Sequence, residues 1–203
     1  MTRKPHTFGA AVLAGGQARR YGGADKAALD CGDGRTILQR LLAELAAAGV
    51  RDMAICANDP ARYAGFGLPV LADQPAGRGP LGGIAAALGH FGGRCDATIL
   101  LACDLPGVGA GAVRRLREAF EAGEARVVVA ETGDSFWHPL CSVVHNGILD
   151  DVAAAIAQGE LGVGRLWRRL GAAPVHFDDE AALFNVNTPE DLATWRARGG
   201  EAP

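Results

Sequence analysis

An excess of positive charge is missing from this chain. Its 20 Lys and Arg face 23 Asp and Glu over 203 residues, a formal net charge of −3. General nucleic-acid binding draws its affinity from clustered cations on phosphates, so that class is excluded as a property of the whole surface. Any polyanion must be met by a local cluster. Cysteine is scarce: Cys31, Cys56, Cys95, Cys103 and Cys141 are odd in number and form no C-x-x-C pair. That pattern excludes a complete disulfide frame and a zinc-finger site, and fits reduced thiols. No apolar run approaches the ~18 residues of a membrane span. Arg3 and Lys4 before the apolar run Phe8–Ala14 imitate a signal peptide, but the run stops at Gly15-Gly16 and leads into Arg19-Arg20, so it reads as a buried strand. A Walker A spacing is absent as well, which disfavours P-loop ATPase or GTPase chemistry. Together these absences predict a cytoplasmic protein with no nucleic-acid and no membrane partner.

Glycine, by contrast, is abundant. The chain has 29, where average usage of ~7% predicts about 14. Disorder does not explain them, because 49% of residues are hydrophobic and only 21% charged, and no G-x-y period suggests collagen. A chain of this length buries roughly 70% of its unfolded surface, enough for one core. Eight of the glycines fall within residues 15–23 and 77–83.

Short apolar runs at Phe8–Leu13, Arg51–Ala57, Pro69–Ala72, Ala97–Ala102 and Arg126–Ala130 read as strands buried on both faces. Helices lie between them. Thr36-Ile37-Leu38-Gln39 is a capping-box start, and Ile37, Leu38, Leu41, Leu42 and Leu45 line one helical face before Gly49 stops it. Pro80–Leu88 and Ala110–Glu121 read as the next helices. Phe136–Val144 reads as a strand, Ile148–Gln158 and Val163–Leu170 as helices, and Ala173–Phe177 as a late strand. Thr188-Pro189-Glu190-Asp191 starts a final helix. The alternation predicts a single α/β domain over residues 1–203, with three α/β/α layers, a mainly parallel twisted sheet and right-handed crossovers.

The strongest local signal is Leu13-Ala14-Gly15-Gly16-Gln17-Ala18-Arg19-Arg20-Tyr21-Gly22-Gly23-Ala24-Asp25-Lys26, directly after the first strand. That puts it at the carboxyl edge of the sheet, where open α/β folds bind ligands. The glycines let backbone N–H groups converge on an anion, and Arg19, Arg20 and Lys26 supply charge-assisted contacts. Asp104 ends the strand before Leu105-Pro106, well placed to hold Mg²⁺ against triphosphate oxygens; a turn-forming Asp is the plainer alternative. Asp73 also ends a strand and could accept from guanine N1–H and its amine or from ribose hydroxyls, or simply cap its loop. Asn185 and Asn187 flank Val186, so on an extended segment both amides point one way; they suit polar edges of a ligand or a turn before the helix. Gly77-Arg78-Gly79-Pro80-Leu81-Gly82 fits G-x-G-x-x-G, but no acidic residue ends a strand ~20 residues on, so an NAD-binding oxidoreductase is the weaker reading.

The pattern L-A-G-G-x-x-x-R-x-G-G-x-D-K resembles the signature of the molybdenum cofactor guanylyltransferases, nucleotidyltransferases of Rossmann-like fold. Further matches follow in order: Asp73, Gly79-Pro80-Leu81-Gly82-Gly83, Cys103-Asp104-Leu105-Pro106, His138-Pro139-Leu140, and Asn185-Val186-Asn187-Thr188-Pro189-Glu190-Asp191-Leu192. The resemblance covers about residues 8 to 195. It implies transfer of GMP from GTP to the terminal phosphate of molybdopterin, with Mg²⁺ and release of pyrophosphate. It implies a GTP-binding N-terminal half and a molybdopterin-binding C-terminal half, with other cofactor-biosynthesis proteins and recipient molybdoenzymes as transient partners. In that frame Arg19, Lys26 and Asp104 are catalytic, and Asp104 holds the metal. Leu13, Ala14, Gly15, Gly16, Gly22, Gly23, Lys26, Cys56, Asp73 and Asp104 bind nucleotide. Gly79, Gly83, Asn185 and Asn187 line the acceptor side. Two positions depart from the family. Cys56 stands where many members have Asn, and Gly159-Glu160-Leu161-Gly162 replaces a basic run, the next cations being Arg165, Arg168 and Arg169. His138 is assigned a structural role, because a phosphate-monoester nucleophile with a second pKa of ~6 needs no base at neutral pH. Cytidylyl transfer to molybdopterin and nucleotidyl transfer to a sugar phosphate are the neighbouring alternatives.

Overall fold

A computed structural model describes residues 6–15 and 26–198 of the chain. Seven strands form one sheet in the order β3-β2-β1-β4-β6-β5-β7. They are β1 (Phe8–Leu13), β2 (Asp52–Cys56), β3 (Val70–Leu71), β4 (Ala97–Ala102), β5 (Val127–Thr132), β6 (Phe136–His145) and β7 (Ala173–Phe177). β6 runs antiparallel to both neighbours, β4 and β5, while the other pairings are parallel. The sheet is therefore mainly parallel, as the sequence predicts.

The helices are α1 (Ile37–Ala47), α2 (Pro60–Tyr63), α3 (Pro80–Phe91), α4 (Ala110–Ala122), α5 (Leu149–Ala157), α6 (Val163–Arg169) and α7 (Pro189–Ala197). The predicted capping box of α1 is present: the Gln39 N–H donates to Thr36 Oγ1 at 3.2 Å, and the Thr36 N–H donates to Gln39 Oε1 at 2.9 Å. α2 is a single Pro-initiated turn that hydrophobic periodicity does not reveal.

Alternate residues of each strand serve opposite layers. Ala10, Val12, Ile99 and Leu101 pack with Ile37, Leu41 and Leu45 of α1 and Val113, Leu116 and Phe120 of α4. Ala11, Leu13 and Leu100 pack with Leu81, Ile84 and Leu88 of α3, Val152 and Ile156 of α5, and Leu166 and Trp167 of α6. This is the three-layer α/β/α arrangement expected of strands buried on both faces. α7 makes its own small cluster of Val186, Leu192 and Trp195.

One topological expectation fails. The connections β1–α1–β2 and β3–α3–β4 move in opposite directions across the sheet and use opposite faces, so they share a hand. The connection β4–α4–β5 moves in the same direction as β3–α3–β4 but lies on the α1 face, which gives it the other hand and makes it the exception to the right-handed rule. The opposite face over β5 and β6 is covered by α5 and α6. On the α1 side α4 gains specific partners. The Arg114 and Arg117 guanidiniums donate to the C-terminal carbonyls of Ala47 and Ala48 at 3.2 and 2.8 Å, and the Ala110 N–H donates to Glu44 Oε2 at 2.8 Å. α1 and α4 thereby satisfy each other's free ends.

Candidate functional site

From β1 the chain goes on to β2 and β3 on one side, while β4 lies on the other. The carboxyl ends of β1 and β4 thus flank the reversal point where α/β sheets open a crevice. A cleft of about 800 Å³ lies there, and Leu13, Ala14, Gly15, Lys26, Cys56, Asp73, Gly79, Gly83 and Asp104 all line it. Gly16, Arg19, Arg20, Gly22 and Gly23 fall outside the described residues.

Asp104 sits just past the end of β4. Lys26 Nζ is 3.8 Å from Asp104 Oδ2 and donates to Asn187 Oδ1 at 2.8 Å. Burial pushes the Asp104 carboxyl above the usual carboxylate range, while Lys26 and the residue's own backbone N–H act the other way. Its carboxylate has no other partner among the described residues. A single desolvated carboxylate with open oxygen donors suits a hard divalent cation that completes its shell with water and substrate phosphates. An all-protein cage is not offered: no cluster of three or more His, Cys, Asp or Glu ligands occurs among the described residues.

The loop bearing Asp104 is fixed from three sides. The Val186 N–H donates to the Asp104 carbonyl at 2.8 Å, and Arg40 Nε donates to the Pro106 carbonyl at 2.8 Å. At Gly107 the backbone of the segment before α7 comes so near that a Cβ would lie 2.5 Å from the Ala181 carbonyl oxygen. Only glycine fits that approach. Asp191 organises the segment from its other end, its Oδ2 accepting from the N–H groups of Asn187 and Thr188 at 2.8 Å each. These backbone bonds hold its carboxyl below the usual range.

On the other wall, the Cys56 carbonyl accepts from the N–H groups of Ala14 and Gly15 at 2.9 and 3.0 Å, and the Leu13 carbonyl accepts from the Cys103 N–H at 3.1 Å. The first loop therefore leaves β1 with these amides already engaged. The Cys56 thiol turns inward and donates to the Gly83 carbonyl at 3.4 Å; burial, with a smaller contribution from Asp73, pushes its pKa up to about 12. It is a packing group, without the reactivity of a thiolate. Asp73 is held by a residue that the sequence reading passed over: Asn58 Nδ2 donates to Asp73 Oδ2 at 2.8 Å, and the Asp73 N–H donates to Asn58 Oδ1 at 2.9 Å. The available signal was spacing. Asn58 lies two positions beyond Cys56, and on an extended segment such residues project to the same side. α3 starts close against Asp73, since a Cβ at Gly82 would lie 2.8 Å from the Pro75 carbonyl oxygen and 3.0 Å from Asp73 Cβ. Gly83 accordingly sits with Asp73, Cys56 and Leu13, on the side of the nucleotide-assigned residues.

The two asparagines near α7 diverge. Asn187 reaches Lys26, whereas Asn185 Nδ2 donates to the Leu183 carbonyl at 3.5 Å. His138 is buried, shares a 2.9 Å hydrogen bond with Thr132 Oγ1, and has its pKa lowered by burial. It does not line the cleft. Among the cations after Gly159, Arg168 lies over the Trp137 ring at 4.7 Å and Arg169 pairs with Glu160. Arg165 is exposed and carries no ion pair among the described residues. The Gly77–Gly82 segment follows the two-residue edge strand β3, so it is not the first βα turn that a dinucleotide fingerprint occupies.

Comparison with known proteins gives this geometry a context. A family model described as a MobA-like NTP transferase domain matches residues 10–175. A molybdenum cofactor guanylyltransferase of Cereibacter sphaeroides is 44% identical over 184 residues, covering 90% of this chain and 92% of its own length. Among solved structures, the molybdopterin-guanine dinucleotide biosynthesis protein A of Archaeoglobus fulgidus superposes with a TM-score of 0.77 at 25% identity, covering 94% of this chain and 98% of its own. A Mycobacterium tuberculosis protein in complex with manganese shares the fold, with a TM-score of 0.72 at 18% identity over 93% of this chain and 97% of its own.

Proposed function

The chain belongs to the family of MobA-like NTP transferase domains and is a nucleotidyltransferase, and on that footing we propose that it transfers GMP from GTP to the terminal phosphate of molybdopterin, releasing pyrophosphate. The observation that carries this reading is the Lys26–Asp104 pair at the carboxyl end of β4, 3.8 Å apart and facing Asp73 across one cleft. GTP lies over the N-terminal half of the sheet edge. Asp73 accepts from the base or ribose, the 13–15 segment forms the floor, and the Cys56 carbonyl supports that floor by accepting from the Ala14 and Gly15 N–H groups. Lys26 neutralises triphosphate charge and the departing pyrophosphate, with Arg19 and the Gly16 and Gly22-Gly23 amides completing the anion cradle. Asp104 holds Mg²⁺, which when bound supplies charge neutralisation at the phosphate oxygens; the manganese complex of the M. tuberculosis relative in fold supports a divalent cation in this architecture.

Molybdopterin enters from the C-terminal half, along Gly79, Asn185 and Asn187, while Gly83, expected on the acceptor side, lies with Asp73 on the nucleotide side. Its phosphate is the nucleophile and attacks the α-phosphorus in line. Because that phosphate is already deprotonated near pH 7, the protein's task is positioning and charge compensation. The buried, neutral His138 accords with this, since no base is called for. Among the described residues no helix is long and apolar enough to cross a membrane, and we place the reaction in the cytoplasm. The test is incubation of the purified protein with molybdopterin, Mg²⁺ and each of GTP, CTP, ATP and UTP. GTP is expected to yield the guanine dinucleotide and pyrophosphate. Preferential use of CTP would overturn the guanylyl assignment.

A further inference from the structure

We infer that Asn58 is the positioning residue that selects guanine, acting through Asp73. This rests on the reading that GTP is the donor and that Asp73 faces its base. The two side chains form a reciprocal pair, with Asn58 Nδ2 donating to Asp73 Oδ2 at 2.8 Å and the Asp73 N–H donating to Asn58 Oδ1 at 2.9 Å. Both edges of the amide are thus used on one partner, which fixes the torsion of the Asp73 carboxylate and keeps Oδ2 occupied. Oδ1 accepts no hydrogen bond from any described residue. It lies beside Gly83, where a Cβ would approach it to 3.3 Å, so the glycine leaves that oxygen uncovered at the cleft.

An anionic acceptor held in one orientation is complementary to the adjacent N1–H and amine donors of guanine. Adenine and cytosine offer an acceptor at the ring nitrogen in the corresponding place. Asp73 is half-buried, and an acceptor left unpaired there by the wrong base rejects such analogues more strongly than lost apolar contact does. The residue two positions earlier cannot share the task. The Cys56 thiol is committed to the Gly83 carbonyl at 3.4 Å and is buried beneath it. On this strand end the side chain free to orient Asp73 is therefore that of Asn58, the next residue projecting the same way.

The experiment measures kcat/KM for GTP and for ITP, which lacks the 2-amine, at fixed molybdopterin and Mg²⁺ in the wild type and in Asn58→Ala, Asn58→Ser and Asp73→Asn. In Asn58→Ala the GTP/ITP ratio is expected to fall about tenfold, the value of one charge-assisted hydrogen bond, with Asn58→Ser intermediate. Asp73→Asn should abolish the preference. Equal losses for both nucleotides in Asn58→Ala would assign Asn58 a merely structural role and overturn the inference. If Asp73→Asn loses the preference while Asn58→Ala keeps it, the guanine reading of Asp73 stands and the role of Asn58 falls. If Asp73→Asn keeps the preference, the reading beneath both is wrong.

Discussion

The two edges of the sheet each hold a cleft, about 800 Å³ at the carboxyl edge and about 550 Å³ at the amino edge, and they treat their polar groups in opposite ways. At the amino edge Thr98 Oγ1 donates to Asn146 Oδ1 at 2.6 Å, and Asn146 Nδ2 donates to the Cys95 carbonyl at 2.8 Å. The Thr7 N–H and hydroxyl both donate to Asp96 Oδ2, at 2.7 and 2.8 Å, and Arg94 grips both oxygens of Asp52 at 2.9 and 2.7 Å. At that edge these groups satisfy one another across the strand ends. At the carboxyl edge Asp104 has a cation at 3.8 Å and Asp73 keeps one oxygen open. Cleft size does not separate a binding site from a structural seam. Unused hydrogen-bonding capacity does, because buried polar groups are otherwise satisfied within the protein.

The contrast can be broken by mutation, and the largest effects belong to the carboxyl edge. Lys26→Ala and Asp104→Ala should each lower kcat for GMP transfer at least about a hundredfold, with melting temperatures near wild type; normal turnover in either variant would dissolve the distinction. Gly107→Ala forces a methyl against backbone carbonyls that cannot move aside, so chemical denaturation should show a loss of about 1–3 kcal/mol, accompanied by reduced turnover as Asp104 shifts. Asn146→Ala tests the seam. It leaves the Cys95 carbonyl and the Thr98 hydroxyl unpaired at a cost of about 1–3 kcal/mol, and kcat should not change.

Smaller effects come from ionisation. Burial raises the Asp104 pKa in the fold, so the unfolded chain loses its proton first. Stability from this group is therefore lost as pH rises through that window. Asp104→Asn should raise the melting temperature at pH 7 while eliminating activity; a lowered one would mean that the Lys26 contact outweighs desolvation. His138 works in the reverse sense. Its folded pKa is depressed from 6.5, so its contribution is complete above that value and declines as pH falls below it. His138→Gln should flatten the melting temperature between about pH 5 and 7, and an unaltered profile would locate the titration elsewhere.

Local signals carried most of the fold. The runs at Phe8–Leu13, Ala97–Ala102 and Ala173–Phe177 have the bounds expected from apolar patterning, and Thr36 and Thr188 cap the helices they introduce. Gly15, Asp73 and Asp104 could be placed at one cleft because strand ends mark the carboxyl edge before any tertiary contact is known; the other glycines of the first loop lie outside the described residues. What stayed hidden is non-local. Nothing in the spacing of Phe136–His145 says that it enters the sheet antiparallel between β4 and β5, or that α4 returns to the α1 face. The partnership of Asn58 with Asp73 depends on two strands lying side by side, and that of Lys26 with Asn187 spans 161 positions. Residue type told which groups could do chemistry, but only packing decides which ones face each other.

The grip of the segment before α7 on Asp104 and Lys26 has a consequence for biosynthesis. Val186 and Asn187 come after all seven strands in chain order, yet they hold the carbonyl of Asp104 and the ammonium of Lys26. The strands can assemble while the chain is still being made, but the reactive pair acquires these supports only once the segment after β7 has emerged. Fragments that stop at β7 would carry the cleft with a lysine that lacks the Asn187 oxygen, so turnover waits on the segment that follows β7.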